Sequence, residues 1–571
     1  MGINGVESPM PFAQRPEPVA APPVVADVIR GFAGTRPRVP RPDRWGLLVT
    51  VVAALLLLPV AAVVLRLGGE STAWASLVET LLGKYLLNTL VLVALVVAMA
   101  MPLGILPAWL VSTCEFPGRR ILSWMLILPL ALPTYVAAFV FYRVPEAAIP
   151  HLVKIRTTFG VDAFLAAELA LRYGLLSLML AAVLSPYVYL AARSAFTRQC
   201  RAQIESARLL GDGVTRAFLR VALPAARPAL VAGGAFVAME VANDYGAVHF
   251  FGVPTLSAGI FRTWFGSGDL VAALRLAALM IATVVGLLAL ERLLRGRARY
   301  SAAGADSRPL ARRRLVGVKA LLAFSVCLLP LTVGFLYPVA RLGHWAWLHL
   351  AAEGFALPEG LRLGQSLGLA AGTTVAAAFL AALFAYAARL RGTTPRRVFL
   401  SIAGLGYAIP GAVVAVGVLS VTGAVDRLHL PLLPMLGGTV AALAFAYAVR
   451  FFAIPLKLSE AGLERIGRPV EEASRVLGAS PWRTFLAIDL PLLKGPLVAA
   501  AILLFVDLLK ELPLTLILRP AGFETLATTA FSLASEARLQ ACAVPSLLVV
   551  AAGVLPLILL DRRLGTGSHH G

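Results

Sequence analysis

Long apolar blocks separated by short polar segments run through most of the chain. Many of them reach about 20 residues, the length that crosses the hydrocarbon core of a bilayer as a helix. A bilayer offers backbone groups no hydrogen-bond partners, so such blocks must be helical. The pattern predicts an all-α polytopic membrane protein with about twelve transmembrane helices. The predicted spans are 45–67, 85–111, 121–142, 168–196, 228–249, 270–292, 316–340, 363–389, 397–420, 434–456, 493–512 and 541–560.

The polar segments divide these spans into two halves with the same plan. Residues 1–44 are rich in Pro and Arg and lack sustained apolar periodicity, which predicts a disordered tail. The first six-helix half covers 45–292, a basic linker covers 293–315, and the second six-helix half covers 316–563. Residues 564–571 end in Ser-His-His-Gly and are interpreted as a tail left from cloning.

One polar element occurs in both halves, between the fourth and fifth spans of each. The loop 197–227 contains Glu-Ser-Ala, three residues, Gly, nine residues and Val-Ala-Leu-Pro; the loop 457–492 contains Glu-Ala-Ser, Gly and Ile-Asp-Leu-Pro at the same spacing. The offset between the copies is 472 − 205 = 267. Each copy is compatible with a short helix, a turn at Gly and an amphipathic helix. The positions of interest are Glu205, Ala207, Gly211, Glu472, Ala473 and Gly478.

Composition and charge agree with a membrane protein and set its orientation. Only 14% of the residues are charged, whereas a soluble domain carries about a quarter. The net charge of +21 is concentrated as Arg in loops on the side of both termini, which the positive-inside rule assigns to the cytoplasm. Both repeated loops then face the cytoplasm. No basic stripe or aromatic platform accompanies the charge, so we expect no nucleic-acid partner.

Several kinds of chemistry are missing from the sequence. The four Cys residues are far apart and form no C-x-x-C motif, which argues against disulfides and a zinc site. The chain contains no G-x-x-x-x-G-K-[ST] phosphate-binding loop. Any ATP chemistry must therefore come from another polypeptide.

The repeated loops resemble the E-A-A-x3-G-x9-I-x-L-P signature of bacterial binding-protein-dependent ABC importers. The departures are small: Ser206 and Ser474 stand for Ala, and Val221 for Ile. The resemblance implies a type I importer permease in the bacterial inner membrane, with each loop docking into a groove of an ATP-binding subunit. It implies two copies of that subunit, a soluble extracytoplasmic binding protein, and no cofactor on this chain, since ATP and Mg bind the partners.

Other runs resemble the ferric-iron permeases, whose members also carry two fused halves. Fused thiamine and aminoethylphosphonate permeases are related, so thiamine or an organophosphonate remains an alternative cargo. The resembling runs are 240–246, 251–256, 259–264, 510–515 and 518–520.

Two pairs of carboxylates border equivalent fifth spans. Glu240 and Asp244 are four residues apart, which predicts one helix face. They match Asp507 and Glu511 at the 267-residue offset. Acids at membrane spans are costly and often functional, and a hard cation prefers oxygen ligands. Alternatively, the acids pair with Lys510 and hold an outer gate. The candidate path residues are Glu240, Asn243, Asp244, Tyr245, Asp507 and Glu511.

A transport path must release its cargo, so we expect no stable metal site. Two other functional classes share some of these features. An ion-coupled secondary transporter could share twelve spans but does not need two E-A-A loops. A membrane-embedded enzyme needs convergent polar residues inside the bilayer, whereas the seven His residues are scattered. Both predict no association with an ATPase subunit.

Overall fold

The computed structural model describes most of the chain. The described residues are 44–199, 206, 211, 213, 216–295, 312–354, 362–390, 398–400, 403, 404, 406, 409–428 and 435–566. The predicted tail 1–44 lies outside them except for Arg44, and so does most of the predicted linker.

The first half is built from helices joined by short turns. Leu128–Ala131 and Val144–Ala148 are 3-10 turns, and Val78–Leu82, Ala195–Gln199 and Ala217–Ala222 are π-helical turns. Its helices are α1 (Arg44–Leu65), α2 (Trp74–Leu77), α3 (Gly83–Thr113), α4 (Arg119–Met125), α5 (Thr134–Phe141), α6 (Ile149–Phe159), α7 (Val161–Ser194), α8 (Leu223–Asn243), α9 (Gly246–Phe250), α10 (Leu256–Ser267) and α11 (Leu270–Arg295).

The second half follows the same order. Thr332–Leu336 and Phe485–Asp489 are π-helical turns. Its helices are α12 (Val318–Leu331), α13 (Tyr337–Glu353), α14 (Leu363–Arg389), α15 (Gly411–Arg427), α16 (Val440–Phe451), α17 (Ala453–Ile466), α18 (Arg468–Val476), α19 (Pro481–Thr484), α20 (Leu490–Leu492), α21 (Lys494–Leu509), α22 (Pro513–Leu518), α23 (Leu526–Ser535) and α24 (Leu539–Thr566).

The predicted membrane spans correspond to these helices. Within the described residues, 8 helices are long and apolar enough to cross a membrane, or up to 11 if each bent pair is one span. The remaining predicted block, 397–420, overlaps α15 from Gly411 onward. The all-α polytopic fold is therefore confirmed. The bent pairs are Arg119–Ala131 with Thr134–Glu146 (90°), Val440–Phe451 with Ala453–Ile466 (51°) and Pro481–Leu492 with Lys494–Leu509 (72°).

The first helix of each half packs against the other half. Helix α1 lies along α15 and α14, and Gly417 of α15 approaches the Pro59 carbonyl so closely that a methyl group would overlap it. Helix α12 lies along α3, and Gly334 in the turn after it approaches the Ala182 carbonyl in the same way. Small residues allow such close backbone contacts between membrane helices. The exchange joins the halves around one core.

The last residues of the linker are anchored to the first half. Cys114 and Glu115 pair in parallel with Arg313 and Arg314 as a two-residue strand pair. The Glu115 carboxylate lies 2.9 Å from the Arg119 guanidinium. The surface formed by the loop 457–492 is named the loop face.

Candidate functional site

The second repeated loop forms two helices separated by a tight turn. Helix α18 ends at Val476, and Gly478 adopts a φ of +80°. This left-handed conformation favours glycine and lets the chain reverse. Ser480 then caps α19 by accepting a hydrogen bond from the Arg483 backbone N–H. The helix–Gly–helix arrangement predicted for this loop is confirmed.

Within this loop the neighbour of the signature Glu forms the internal anchor. Glu471 lies 3.1 Å from the Arg389 guanidinium at the end of α14, and both side chains are 6% exposed. Ser474 and Thr484 share a hydrogen bond of 2.9 Å across the turn. Glu472 and Ala473 face outward and are exposed. Glu472 and Ala473 are therefore not used in the internal packing of the loop, whereas Ser474 is.

The tip of this loop also exposes apolar side chains. Val476 and Leu477 are each 87% exposed, and Trp482 is 48% exposed. Exposed apolar groups next to a polar rim are typical of a surface that another protein covers. The signature Glu472 lies on the same short helix as Val476.

The first repeated loop is described only in part. Glu205 and Ala207 lie outside the described residues. Gly211 adopts a φ of +90°, matching Gly478. Pro224 does not end the amphipathic stretch of this loop, because Ala217–Asn243 is one continuous helix. Pro224 occupies the first turn of α8 after a π-helical turn, where a missing N–H is tolerated.

All six candidate path residues line one cavity of about 310 Å³. It lies where α8 and α21 end, among residues of both halves. The carboxylates of Glu240, Asp244, Asp507 and Glu511 thus line the same cavity. The predicted shared helix face of Glu240 and Asp244 is not observed, because α8 ends at Asn243 and Asp244 lies beyond it. In the second half α21 ends at Leu509, so Glu511 also lies beyond its helix.

Asp244 and Glu511 have equivalent structural roles just after these helix ends. Asp244 accepts a hydrogen bond from the Ala247 backbone N–H at 2.8 Å, at the start of α9. Glu511 accepts one from the Leu514 backbone N–H at 3.1 Å, at the start of α22. Asp244 also accepts a hydrogen bond from the Thr134 hydroxyl.

The second half adds two cations that compensate its acids. The Arg450 guanidinium lies 3.0 Å from Glu511, and the Lys510 ammonium lies 2.7 Å from Asp507. Lys510 was considered from the sequence as a partner of the acids. Arg450 was missed, although an arginine inside a predicted span is a recognisable signal.

The first half instead presents oxygen atoms without partners. Glu240 forms no hydrogen bond or ion pair with the described residues, although Arg450 and Lys510 lie near enough to interact electrostatically. The Asn243 Oδ1 and Tyr135 Oη atoms are buried and unpaired among the described residues. Tyr245 lines the cavity, but its ring stacks on Phe261 at a centroid distance of 3.6 Å.

No group of three or more His, Cys, Asp and Glu side chains within the described ranges is arranged to hold a metal ion. The cavity's charged lining consists of Glu240, Asp244, Asp507, Glu511, Arg450 and Lys510, a formal sum of four negative and two positive charges. This polar lining favours a ligand that is coordinated by oxygen atoms and is held only transiently.

Two segments of the chain match one protein family, one segment in each half. Residues 100–299 and 374–566 match the family described as "Binding-protein-dependent transport system inner membrane component". The two matches cover most of the chain, and each contains one repeated loop.

Similar proteins are permeases of several transport systems. The chain is 24% identical over 532 residues, covering 91% of it and 99% of the relative, to an Fe(3+)-transport system permease protein of Haemophilus influenzae. It is 29% identical over 213 residues, 36% of it and 73% of the relative, to a putative 2-aminoethylphosphonate transport system permease protein of Salmonella typhimurium. It is 29% identical over 210 residues, 35% of it and 70% of the relative, to a sulfate transport system permease protein of Escherichia coli.

The helices of spanning length, the repeated loops and the paired family matches point to the same conclusion. Components of this family work with an ATPase and a binding protein. The chain belongs to the binding-protein-dependent transport system inner membrane components, and it is an ABC importer permease with two fused halves.

Proposed function

We propose that this permease moves ferric iron from a soluble ferric-binding protein to the cytoplasm through the cavity between its halves. ATP hydrolysis on two copies of a separate subunit drives the transport, and the two repeated loops dock those copies. The loop face and both termini are cytoplasmic, as the distribution of Arg indicates. The cation is cargo, so it passes through without a resident site.

The choice of cargo rests on which polar groups of the cavity have hydrogen-bond or ion-pair partners and which do not. Both cations there are paired with carboxylates, at 3.0 Å for Arg450 and 2.7 Å for Lys510. Among the described residues, the buried cavity atoms without a hydrogen-bond partner are Asn243 Oδ1 and Tyr135 Oη, and the Glu240 carboxylate forms no hydrogen bond or ion pair. Oxygen donors in a cavity with excess negative charge attract a hard cation and repel an oxyanion. Sulfate and phosphonate therefore fit this cavity less well than ferric iron.

The support for docking is the surface of the second loop. Glu472 is exposed while its neighbour Glu471 is tied to Arg389, so the signature carboxylate remains available to another protein. Val476 and Leu477 extend the same helix with uncovered apolar surface. A short rigid helix anchored by a buried ion pair is suited to transmit movement of an ATPase subunit to α14.

Uptake of radiolabelled iron tests the cargo. The permease, its ATPase and its binding protein are expressed in cells that lack their own ferric importer, and Asp244→Asn and Glu511→Gln are compared with the parent. We expect iron uptake by the parent and reduced uptake by both variants, since each loses a carboxylate of the cavity. Thiamine, 2-aminoethylphosphonate and sulfate are assayed in parallel. Uptake of one of these without iron contradicts the proposed cargo, and unchanged iron uptake in both variants removes the role of the carboxylates.

A further inference from the structure

The two halves of the cavity have equivalent backbones but different partners for their acids. Pro133 and Pro410 precede α5 and α15 with nearly the same dihedral angles, φ −61° and ψ 142° against φ −55° and ψ 141°. Thr134 and Gly411 occupy the first positions of these helices, at an offset of 411 − 134 = 277 instead of 267, and they are equivalent in packing because α5 contacts α9 as α15 contacts α22. Thr134 donates a hydrogen bond to Asp244, whereas Gly411 has no side chain to offer Glu511.

The residue at the position of Arg450 also differs between the halves. At the repeat offset, 450 − 267 = 183, and Val183 lines the cavity in the first half. Arg450 reaches Glu511 through the space above Gly411, where a methyl group would overlap its guanidinium. Gly411 and Arg450 therefore act as a pair in the second half, where they take the place that Thr134 and Val183 have in the first half.

We propose that Arg450 is a tethered counter-ion, which holds Glu511 while the cavity is empty and gives up that carboxylate when a cation arrives. This inference rests on the proposed function and adds a specificity-determining residue to it. The cation first meets the unpaired oxygens of the first half. It reaches the second half only by exchange with Arg450, whose charge then favours its release.

The fold does not need the ion pair for packing. The first half builds the same corner with Thr134 and Val183, and Val183 is 1% exposed. The Arg450 and Glu511 side chains are 14% and 7% exposed, and a buried ion pair often stabilises no better than an apolar pair of similar size. A charge kept in such a place is better explained by transport, because conduction needs binding that is weak enough to permit release.

The test copies the first-half arrangement into the second half. The double variant Gly411→Thr/Arg450→Val gives Glu511 a hydroxyl donor in place of the guanidinium, so the carboxylate keeps a hydrogen-bond partner. The formal charge of the lining becomes one unit more negative. For iron uptake we expect KM and the maximal rate to fall together, each by about tenfold, as an added net charge strengthens cation binding and slows release. Arg450→Lys keeps the charge and should restore most of the maximal rate.

Arg172→Val is the matched control, because Arg172 is also ion-paired, with Glu168, but lies outside the cavity lining. It should leave KM unchanged. The amount of each variant in the membrane is measured by immunoblot, so that uptake is expressed per molecule. An unchanged KM in the double variant, or a lower maximal rate with parental KM, overturns the inference.

Terbium luminescence tests the role of Arg450 independently of whether iron is the cargo. Tb³⁺ is a trivalent, oxygen-seeking ion, and its binding to the purified permease in nanodiscs requires no partner protein. The double variant should bind Tb³⁺ about tenfold more tightly than the parent, while Arg450→Lys and Arg172→Val bind like the parent. If parent cells take up no iron, the proposed function fails, and the Tb³⁺ affinities still decide the inference. Equal affinity of parent and double variant overturns it.

Discussion

The two halves of this permease place carboxylates at matching positions and treat them in opposite ways. In the first half Asp244 is held by the Thr134 hydroxyl, and Glu240 has no ion-pair partner within the described residues. In the second half Glu511 and Asp507 are each paired with a cation. The repeat thus retains the acids and the helix ends that carry them, while it changes the groups that compensate their charge.

The repeated loops differ in a related way. In the first half the chain runs from Ala217 to Asn243 as one helix, whereas in the second half Pro481–Leu492 and Lys494–Leu509 meet at 72°. The second loop also buries Asp489 at the position of Ala222. An internal repeat therefore fixes where the elements lie and leaves their electrostatics free to diverge. Three predictions test how far this divergence extends.

Removing both signature carboxylates is expected to have the largest effect. Glu205→Ala with Glu472→Ala should lower transport by about tenfold or more. A tenfold loss corresponds to roughly 1.4 kcal/mol of interaction free energy between the loops and the ATPase subunits. Both residues belong to polar loops, so membrane insertion should not change. Uptake per molecule and co-purification of the ATPase subunit measure the effect.

The single variants compare the two loops directly. Their effects need not be equal, because the loops differ in shape and anchoring. Glu471→Ala serves as a structural comparison, since it breaks the ion pair with Arg389 without removing a signature residue. Full transport by the double variant would show that these loops do not couple the permease to ATP hydrolysis.

Much of the fold could be predicted because membrane helices follow from composition and length alone. Pro129 and Pro133 lie at the 90° bend of the third predicted span, where proline disrupts a helix. The exchange of the first helices between the halves could not be predicted. It depends on the close approaches of Gly417 and Gly334 to backbone carbonyls, and small residues in apolar helices do not specify their partner.

The candidate site shows a similar limit. The repeat offset identified Glu240, Asp244, Asp507 and Glu511, and these side chains do line one cavity. It could not identify Arg450 or Gly411, because neither has a chemically similar residue at the offset, and their relation exists only in three dimensions. An offset detects what two halves share, so it misses what one half has gained.

Neutralising one acid in each half is expected to have an intermediate effect. Glu240→Gln and Asp507→Asn each remove one negative charge from the same cavity. Glu240→Gln should raise the KM for iron by about three- to tenfold, because it removes the acid that lacks an ion-pair partner. Asp507→Asn should have a smaller effect, since Asp507 is already compensated by Lys510 at 2.7 Å. Equal effects would mean that only the total charge of the cavity matters and that the halves are electrostatically equivalent.

The variant with the smallest expected effect on transport changes stability at the loop face. Burial and then the nearby charge of Glu471 raise the pKa of Asp489 to about 6, against the opposing effect of Arg389 and Arg475. Neither carboxylate oxygen has a hydrogen-bond partner among the described residues. A carboxyl group whose pKa is raised by folding binds its proton more tightly in the folded state, so its ionisation destabilises the protein as the pH rises from about 4 to 6. Asp489→Asn removes this loss. Relative to the parent, the variant should therefore gain stability between pH 4.5 and pH 7, by up to about 3 kcal/mol for a pKa raised by about two.

Thermal unfolding of both proteins in detergent across this pH range measures the gain. Ala222→Asp should introduce a comparable loss into the first half. A stability difference between Asp489→Asn and the parent that stays constant with pH would show that the Asp489 carboxyl does not titrate there, and the loops would then differ in shape alone.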